Sequence, residues 1–236
     1  MSKLTKIVLI NWMYFQKTTL NIAGNAAIVG TNGSGKSTII DAIQLLLLGQ
    51  KQAKFNSGAN AEKRTLESYV RGHVNTDGKE YLRNGDVVTY LALEVEINKT
   101  KHVFGINIEY KSKLDRLSDN KYFYINNCSL KESLFVTEKN YPKTYDVFSK
   151  EMKREFEFVP FQTLMTYQNK IKDLFALKTE NAYFKILSRA IGLKNITECD
   201  KFMNEFVLDE NIIDVSGIKN SIIDMKKVNK MIELEE

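Results

Sequence analysis

A glycine-rich loop near the N-terminus constrains this chain more than any other feature. The loop reads GTNGSGKST from Gly30 to Thr38 and directly follows the apolar run AAIV. Glycines at its first and sixth positions, followed by Lys36 and Ser37, fit the phosphate-binding loop pattern at every fixed position. The pattern requires a strand before the loop and a helix after it, so it predicts an α/β fold.

The residues on both sides of the loop agree with that requirement. AAIV is predicted as a buried strand that runs into the loop. After the loop, apolar residues recur on one helical face, and Gly49 stands where such a helix would end. The residues of this face are Ile39, Ile40, Ala42, Ile43, Leu46 and Leu47.

Each residue type in the loop suits a triphosphate. Glycines let backbone amides face the phosphates, and the following helix offers the positive end of its dipole. We expect Lys36 to reach the β- and γ-phosphates, Ser37 to ligate Mg²⁺, and Thr38 to lie near the α-phosphate. The nucleotide-binding residues predicted in the loop are Gly30, Asn32, Gly33, Ser34, Gly35, Lys36, Ser37 and Thr38.

Other motifs narrow the class of nucleotide-binding protein. A guanine-reading protein is expected to carry NKxD, but the nearest stretch, NKTK at Asn98, lacks the aspartate. We therefore reject a GTPase. A self-sufficient small phosphotransferase would need an arginine-rich lid and a second acid after a buried strand, and neither is evident in the sequence.

Composition excludes several other functions. His73 and His102 are the only histidines, and Cys128 and Cys199 form no CxxC pair. The chain therefore has few residues that could ligate a metal or form a histidine-based triad. The N-terminus resembles no secretory signal, and no pure apolar run is longer than the four residues 45–48, far too short to span a bilayer. We expect a cytoplasmic protein. The net charge of +5 permits contact with DNA without requiring it.

The middle of the chain is predicted to form strands and the later part helices. In TYLALEVEI the apolar residues alternate with polar ones, which predicts a half-exposed antiparallel strand with Glu94 and Glu96 on its outer side. HVFGINIEY and KYFYIN are predicted as further strands. Beyond Pro160, NKIKDLFAL and AYFKILSRAIGL have helical spacing.

Several stretches together resemble a known family. LTKIVLINWMYFQKTTLNI and IVGTNGSGKSTIIDAIQLLLLG resemble the N-terminal head segment of SMC-superfamily ATPases, the ABC-type coiled-coil motors of chromosome biology. YVRGHVNTDGKEYLRNGDVVTYLALEVE and FVLDENIIDVSGIKNSI look closest to the MukB-like SMC subunit of Wadjet plasmid-defence systems. The resemblance covers nearly the whole chain and implies ATP and Mg²⁺ as ligands.

The resemblance also implies a fold and a domain organisation. The fold is the N-terminal lobe of a P-loop NTPase head, with mixed and antiparallel strands, followed by helices and the start of a coiled coil. Residues 1–212 correspond to this lobe and residues 213–236 to the start of the coiled-coil arm. The C-terminal lobe, the hinge and most of the coil are expected to lie outside this chain.

Further site residues follow from the same resemblance. TYQNKIKDLFALK resembles the Q-loop region, so Gln168 is expected to contact Mg²⁺ and the attacking water, with Gln162 as the rival position. LRNGD resembles an arginine-bearing loop near the nucleotide, which makes Arg83 the candidate and Arg71 the second choice. Lys36 and Gln168 would be the catalytic residues of this chain, and Ser37 and Gln168 its metal ligands.

Three aromatic residues and one aspartate near the loop also need an interpretation. Trp12, Tyr14 and Phe15 either pack near the adenine or belong to the core of the sheet. Asp41, inside the predicted helix after the loop, is read as structural. These alternatives stay open at the level of the sequence.

The sequence supplies only part of a hydrolytic site. FVLDE, at residues 206–210, mimics a Walker B strand, but no signature motif such as LSGGQ precedes it, so we interpret it as an amphipathic segment ending in solvated acids. We therefore expect half of an ATPase head, which alone binds nucleotide weakly and does not turn ATP over. It should expose apolar surface that the other lobe would cover.

The implied function is that of a motor. In the intact protein, ATP held between two heads of a homodimer would engage them and drive DNA translocation or loop extrusion. The expected partners are the C-terminal lobe, a kleisin with accessory subunits, a partner nuclease, and DNA bound through sequence-independent phosphate contacts. The location would be cytoplasmic and nucleoid-associated. The alternatives are an SMC-like head for DNA repair or chromosome segregation and a non-catalytic dimerisation module.

Overall fold

Antiparallel hairpins build most of the fold. The computed structural model describes residues 2–22, 26–51, 53, 55, 65–76, 78–177 and 184. Its strands are β1 (Ser2–Trp12), β2 (Phe15–Asn21), β3 (His73–Thr76), β4 (Lys79–Tyr81), β5 (Val87–Ile97), β6 (Thr100–Lys111), β7 (Arg116–Leu117), β8 (Lys121–Asn126) and β9 (Glu157–Phe161). Its helices are α1 (Lys36–Leu48), α2 (Leu66–Arg71), α3 (Tyr145–Glu155) and α4 (Leu164–Leu174).

The main sheet has seven strands. Their order is β2-β1-β5-β6-β8-β9, and β7 pairs with β6 beside this path. β3 and β4 form a separate hairpin. All strand pairs within the described residues are antiparallel. The predicted α/β content and the predicted strands β5, β6 and β8 are confirmed, whereas the parallel pairing of a mixed sheet does not occur among the described strands.

One face of the sheet carries the helices that follow the loop. Ile7 and Leu9 of β1 and Leu91 of β5 pack with Leu45 of α1 and Tyr167 of α4 in one buried cluster. These side chains are fully shielded from solvent. Burying apolar surface between a sheet and amphipathic helices is the main driving force for such a layer.

The other face of the sheet is also covered, contrary to the prediction of a half-exposed β5. Val8 and Tyr90 pack on this side with Phe135 and with Phe148 of α3. The covering layer comes from residues 127–156, which are distant in sequence from β5. Local alternation in TYLALEVEI could not predict it, because polar residues at alternate positions usually mark a solvated face.

Glu94 shows the consequence of this second layer, since its side chain is fully buried and not solvated as predicted. Its Oε1 accepts a hydrogen bond from Thr5 Oγ1 at 2.7 Å, and its Oε2 accepts one from the Leu130 amide at 2.6 Å. Lys6 and Lys101 lie 3.9 and 3.6 Å from the carboxylate. Burial alone would raise the pKa of Glu94, but these hydrogen bonds and ammonium groups hold its pKa below the ordinary value.

The segment 26–30 departs from its prediction as a buried strand. It forms no strand in the structure, and all five of its residues are exposed. Val29 is 86% exposed and Ile28 is 41% exposed. A strand is stable only when neighbouring strands satisfy its backbone groups, and no described strand pairs with this segment. The segment is apolar, which is why the sequence predicts a buried strand, but none of the described strands pairs with it.

The helix predicted from NKIKDLFAL is confirmed in its first part, since α4 covers Leu164–Leu174. The chain consists of two compact units, Met1–Gly192 and Leu193–Glu236. Every described residue belongs to the first unit. The predicted helix in AYFKILSRAIGL, the acids of FVLDE, the boundary at residue 212 and the predicted coil at 213–236 lie outside the described residues. No helix in the described ranges is long and apolar enough to cross a membrane.

Candidate nucleotide-binding site

The phosphate loop adopts a backbone that only glycine takes up readily. Gly33 and Gly35 have φ angles of 81° and 92°, in the left-handed region that is costly for residues with a Cβ. Gly35 also has no room for a side chain, because a Cβ there would lie 2.7 Å from the ring of Phe15. The loop can therefore turn sharply into α1 while its backbone stays accessible.

Among the described residues, the first turn of α1 begins without a side-chain cap. Gly35 is the N-cap residue, no side chain caps the helix in the described part of the chain, and no acid lies in its first turn. The first amides of a helix have no intrahelical acceptor, and the helix dipole adds positive potential at the same place. Lys36, Ser37 and Thr38 therefore bring their amides to a site suited to an anion such as a phosphate.

The side chain of Lys36 folds back onto the phosphate loop. Its Nζ donates to the carbonyl oxygens of Gly30 and Thr31, both at 2.8 Å. These acceptors are neutral, and a phosphate oxygen would be a stronger acceptor for an ammonium group. The lysine is thus positioned at the mouth of the loop, where a triphosphate would exchange for the two carbonyls.

The structure brings all the predicted loop residues together. Asn32 and Ser34 lie at the exposed tip, Ser37 is half-buried, and Thr38 is buried at 7% exposure. Within the loop, the Ser34 amide donates to Thr31 O at 3.3 Å. These positions agree with a cradle whose outer part is open and whose base is anchored in the protein.

The turn between β1 and β2 supports the base of this cradle. Trp12 is fully buried, and its Nε1 donates to the Thr38 carbonyl at 2.8 Å. The Phe15 ring packs against Gly35. Tyr14, between them, is 58% exposed. Of the three aromatic residues considered near the adenine, Trp12 is therefore a core residue and Phe15 is a support of the loop, a role that sequence analysis missed.

Asp41 lies one helical turn beyond Ser37 and is almost completely buried. The Tyr69 hydroxyl donates to its Oδ2 at 2.5 Å, and Gln44 Nε2 donates to its Oδ1 at 3.3 Å. Tyr69 in turn stacks on Trp12 with ring centroids 4.6 Å apart. The carboxylate thus ties α1 to α2 beneath the loop, which agrees with its structural interpretation.

Arg83 is held by backbone oxygens and not by a carboxylate in the described part of the chain. Its Nη1 donates to Met13 O at 3.0 Å and to Val70 O at 3.2 Å, and its Nε donates to Asn11 Oδ1 at 3.2 Å. A longer contact of 3.4 Å joins Nη2 to Phe15 O. Burial lowers the pKa of Arg83 to about 10, so it stays charged at neutral pH.

Arg71 is committed to a different set of contacts. Its guanidinium lies between the rings of Tyr81 and Tyr110, at 3.7 and 4.5 Å from their centroids. Its Nη1 pairs with Glu67 at 2.8 Å. Burial by itself lowers the pKa of Arg71, but the hydrogen bond and the charge of Glu67 raise it overall. Both predicted arginines therefore make protein contacts in this structure.

The structure does not bring Gln168 to the loop. Its Nε2 donates to Leu47 O at 2.8 Å, at the C-terminal end of α1, while Ser37 lies at the other end. Ten residues of helix separate these two ends by about 15 Å. A contact with the loop metal is therefore out of reach for Gln168 in this arrangement. Gln162, the rival position, is exposed between β9 and α4.

Comparisons with known proteins agree with the loop geometry. Residues 4–62 match the family described as the P-loop containing region of AAA domain. A stretch of 55 residues is 54% identical to the chromosome partition protein Smc of Methanocaldococcus jannaschii. This stretch is 23% of the chain and only 5% of that Smc protein, so most of the relative has no counterpart in the match.

The match and the geometry meet at the same residues. The matched region contains most of β1 and all of β2, the phosphate loop and α1, which together form the uncapped helix start and its support. A P-loop region of this kind binds nucleotide, in general with Mg²⁺. The loop geometry and the two matches support an SMC-like P-loop ATPase N-terminal segment in this chain.

Proposed function

We propose that this chain is the nucleotide-binding half of an SMC-like ATPase head and that it binds ATP with Mg²⁺. The observation that carries the proposal is the uncapped start of α1, with Lys36 placed beside it over the loop carbonyls. Amides and an ammonium group converge there, so charge and hydrogen-bond donors both suit a triphosphate.

The residues have separate roles in this proposal. The loop amides from Gly30 to Thr38 hold the phosphates, Lys36 neutralises their charge, and the Ser37 hydroxyl is the protein ligand of Mg²⁺. The predicted catalytic glutamine is Gln168, with Gln162 as the rival position. Both lie towards the far end of α1, since Leu164 packs against Gly49 there, so either would have to move to reach the loop. The side chain of Gln162 is exposed, whereas that of Gln168 is held at the far end of α1.

A second lobe would complete the site. Ile28 and Val29 precede the loop, Ile40 lies on the first turns of α1, and all three are exposed. Ile28 and Val29 are neighbours in sequence, and exposed apolar side chains of this kind mark a surface that another part of a protein covers. The proposal is that a C-terminal lobe pairs with segment 26–30 and supplies the acids needed for hydrolysis.

The wider function rests on the family resemblance. In the intact protein, ATP bound between two heads would engage them, and hydrolysis would release them to drive DNA translocation or loop extrusion. A kleisin, accessory subunits and a nuclease that cuts plasmid DNA would act with the heads. The stretches that resemble the Wadjet subunit support this defence role.

A second candidate function is supported by a different observation. The relative that is 54% identical over 55 residues is a chromosome partition protein. An SMC-like head that serves chromosome segregation or DNA repair would have the same loop and the same second lobe. Survival of cells challenged with plasmid, compared with the frequency of anucleate cells after deletion of the gene, separates the two roles.

Calorimetric titration of Mg·ATP tests the nucleotide site. It should be done with the chain alone and with a complementary C-terminal lobe. Binding should be weak alone and tighter with the lobe, and Lys36→Ala should abolish both, because the ammonium group is lost. Lys113→Ala, an exposed lysine after β6, is the matched control. Equal affinity of the Lys36 variant and the unaltered chain would refute the proposed site.

ATP turnover gives a separate test of the second lobe. The isolated chain should show no steady hydrolysis, whereas the chain with the complementary lobe should. Steady turnover by the chain alone would show that its own residues complete the catalytic site, and the proposal of half a head would then be abandoned.

A further inference from the structure

We propose that Arg83 is a positioning residue for the phosphate loop, which acts through the turn between β1 and β2 and not through the nucleotide. The inference rests on the proposed function, because it assigns a role within that same site. It concerns a residue of the loop between β4 and β5, outside residues 4–62, which match the family model.

The first step is the way in which Arg83 holds the turn. Its guanidinium donates to a ring of oxygens, which we call the carbonyl cradle: Met13 O, Phe15 O, Val70 O and Asn11 Oδ1. Three of these four oxygens belong to the β1–β2 hairpin, in or beside its turn. Backbone carbonyls that face inwards leave their turn unstable unless a donor satisfies them, so Arg83 fixes the path of this turn.

The second step leads from the turn to the loop. Phe15 places its ring against Gly35, the N-cap of α1, and Trp12 donates to the carbonyl of Thr38 in the first turn of that helix. Both contacts come from residues flanking the backbone that Arg83 holds. A displaced turn would therefore shift the two points on which the start of α1 rests.

The chemistry of the cradle requires an arginine. A guanidinium is a planar fork with five N–H donors and can serve several carbonyls at fixed angles, whereas an ammonium group is a compact point charge. The backbone also leaves little space there, because a Cβ on Gly72 would lie 2.9 Å from both Arg83 Nη1 and Met13 O. Lysine would keep the charge but not the geometry.

The same contacts argue against a direct phosphate contact. Four acceptors already occupy the guanidinium, which has five donors in all. A phosphate could take at most the one remaining N–H, on Nη2, and a bidentate contact would require Arg83 to leave the carbonyls and release the turn. A positioning role needs no such movement.

Four variants separate positioning from direct contact: Arg83→Met, Arg83→Lys, Phe15→Leu and the double variant of Arg83→Met with Phe15→Leu. Arg154→Met is the matched control, since Arg154 has a side chain that is 78% exposed. Two quantities are measured for the chain with its complementary lobe, the dissociation constant for Mg·ATP by calorimetry and the amide hydrogen exchange of residues 39–41 without nucleotide.

A positioning role predicts a specific pattern. Arg83→Met and Arg83→Lys should both weaken Mg·ATP binding by about tenfold, the scale of a lost hydrogen bond to a charged group. Both should speed exchange at residues 39–41 by about tenfold, because the first turn of α1 loses its support. The double variant should be no weaker than Phe15→Leu alone, because both changes break one path. Exchange in the centre of β5 should not change.

Other outcomes would overturn the inference. If Arg83→Lys kept full affinity, charge alone would matter and the cradle would be irrelevant. If Arg83→Met weakened binding without faster exchange, and its effect added to that of Phe15→Leu, Arg83 would contact the phosphate directly. Normal binding and exchange in both Arg83 variants would show no role in the site.

The test also distinguishes this inference from the proposed function. If Lys36→Ala bound Mg·ATP as well as the unaltered chain, the proposed function would fail, while the exchange data without nucleotide would still decide whether Arg83 supports α1. If Lys36→Ala lost binding and the Arg83 variants behaved as Arg154→Met does, the proposed function would stand and only this inference would fail.

Discussion

The centre of the sheet and the segment that leads into the phosphate loop differ sharply in how they are completed. In β5 and β6 most residues are buried on both faces, by helices on one side and by residues 127–156 on the other. Residues 26–30 have an equally apolar sequence, but they are exposed and unpaired with any described strand.

Within the described ranges, the sheet is covered on both faces, whereas the segment that leads into the nucleotide site is not. Substitutions in the sheet should therefore cost folding free energy, whereas substitutions near the loop should mainly affect binding. Four predictions test that separation, and each uses the free energy of unfolding from urea denaturation.

Gly105→Ala should have the largest effect. Gly105 lies in β6 opposite Phe123, whose ring occupies the space where a Cβ would stand. Phe123 is fully buried against Phe148, so its ring cannot move aside without repacking. We expect a loss of about 3 kcal/mol, in the upper range for overpacking a core. Gly85→Ala is the control, because nothing lies within 4 Å of its Cβ position. Equal stability of the two variants would contradict this packing.

Glu94→Gln should cost about 2 kcal/mol at pH 7, because a charged acceptor of buried hydrogen bonds is lost. The folded pKa of Glu94 lies below its ordinary value of 4.5, so its contribution is complete above pH 4.5 and is lost as the pH falls through the folded pKa. The difference between the variant and the unaltered chain should therefore shrink in acid. Glu96→Gln, which removes only a surface pair with Lys3, should cost less than about 0.5 kcal/mol at every pH.

Gln168→Ala should have an intermediate effect of about 1 kcal/mol, the usual size of one hydrogen bond. It removes the donor to Leu47 O and so releases α4 from the end of α1. Asn169→Ala, at an exposed position of the same helix, is the control. If Gln168→Ala left stability unchanged but abolished hydrolysis in the completed head, a metal role for Gln168 would be restored.

Val29→Thr should have the smallest effect, less than about 0.5 kcal/mol, since Val29 is 86% exposed. The same substitution at Val103, which is fully buried in β6, should cost about 2 kcal/mol because a hydroxyl enters an apolar cluster. Measured with the complementary lobe, Val29→Thr should instead weaken lobe association. A large loss of stability in the chain alone would show that segment 26–30 already has a buried partner.

Local patterns in the sequence predicted the features that depend on neighbouring residues. The phosphate loop, α1 and the strands β5, β6 and β8 follow from glycine spacing and from periodicity, and the structure confirms them. The SMC-like P-loop character of the chain is supported by the comparisons. The closer likeness to a Wadjet subunit and the coiled coil at 213–236 remain predictions.

Contacts between distant parts of the chain could not be predicted in this way. Glu94 is buried by a layer that begins more than thirty residues later, at Cys128 and Leu130. Gln168 bonds to a carbonyl 121 residues earlier, so its sequence context gave no sign of that contact. The sequence predicts Arg83 near the nucleotide, and only the structure shows that its guanidinium donates to oxygens of the β1–β2 hairpin and of Val70.

Trp12 gives the molecule a built-in optical reporter. It is the only tryptophan in the chain, its indole is shielded from water, and its N–H donates to Thr38 in the first turn of α1. Indole emission shifts in wavelength and intensity when its polarity or its hydrogen bonding changes. Excited selectively over the eleven tyrosines, tryptophan emission therefore reports on one place, the base of the phosphate loop, without any added dye.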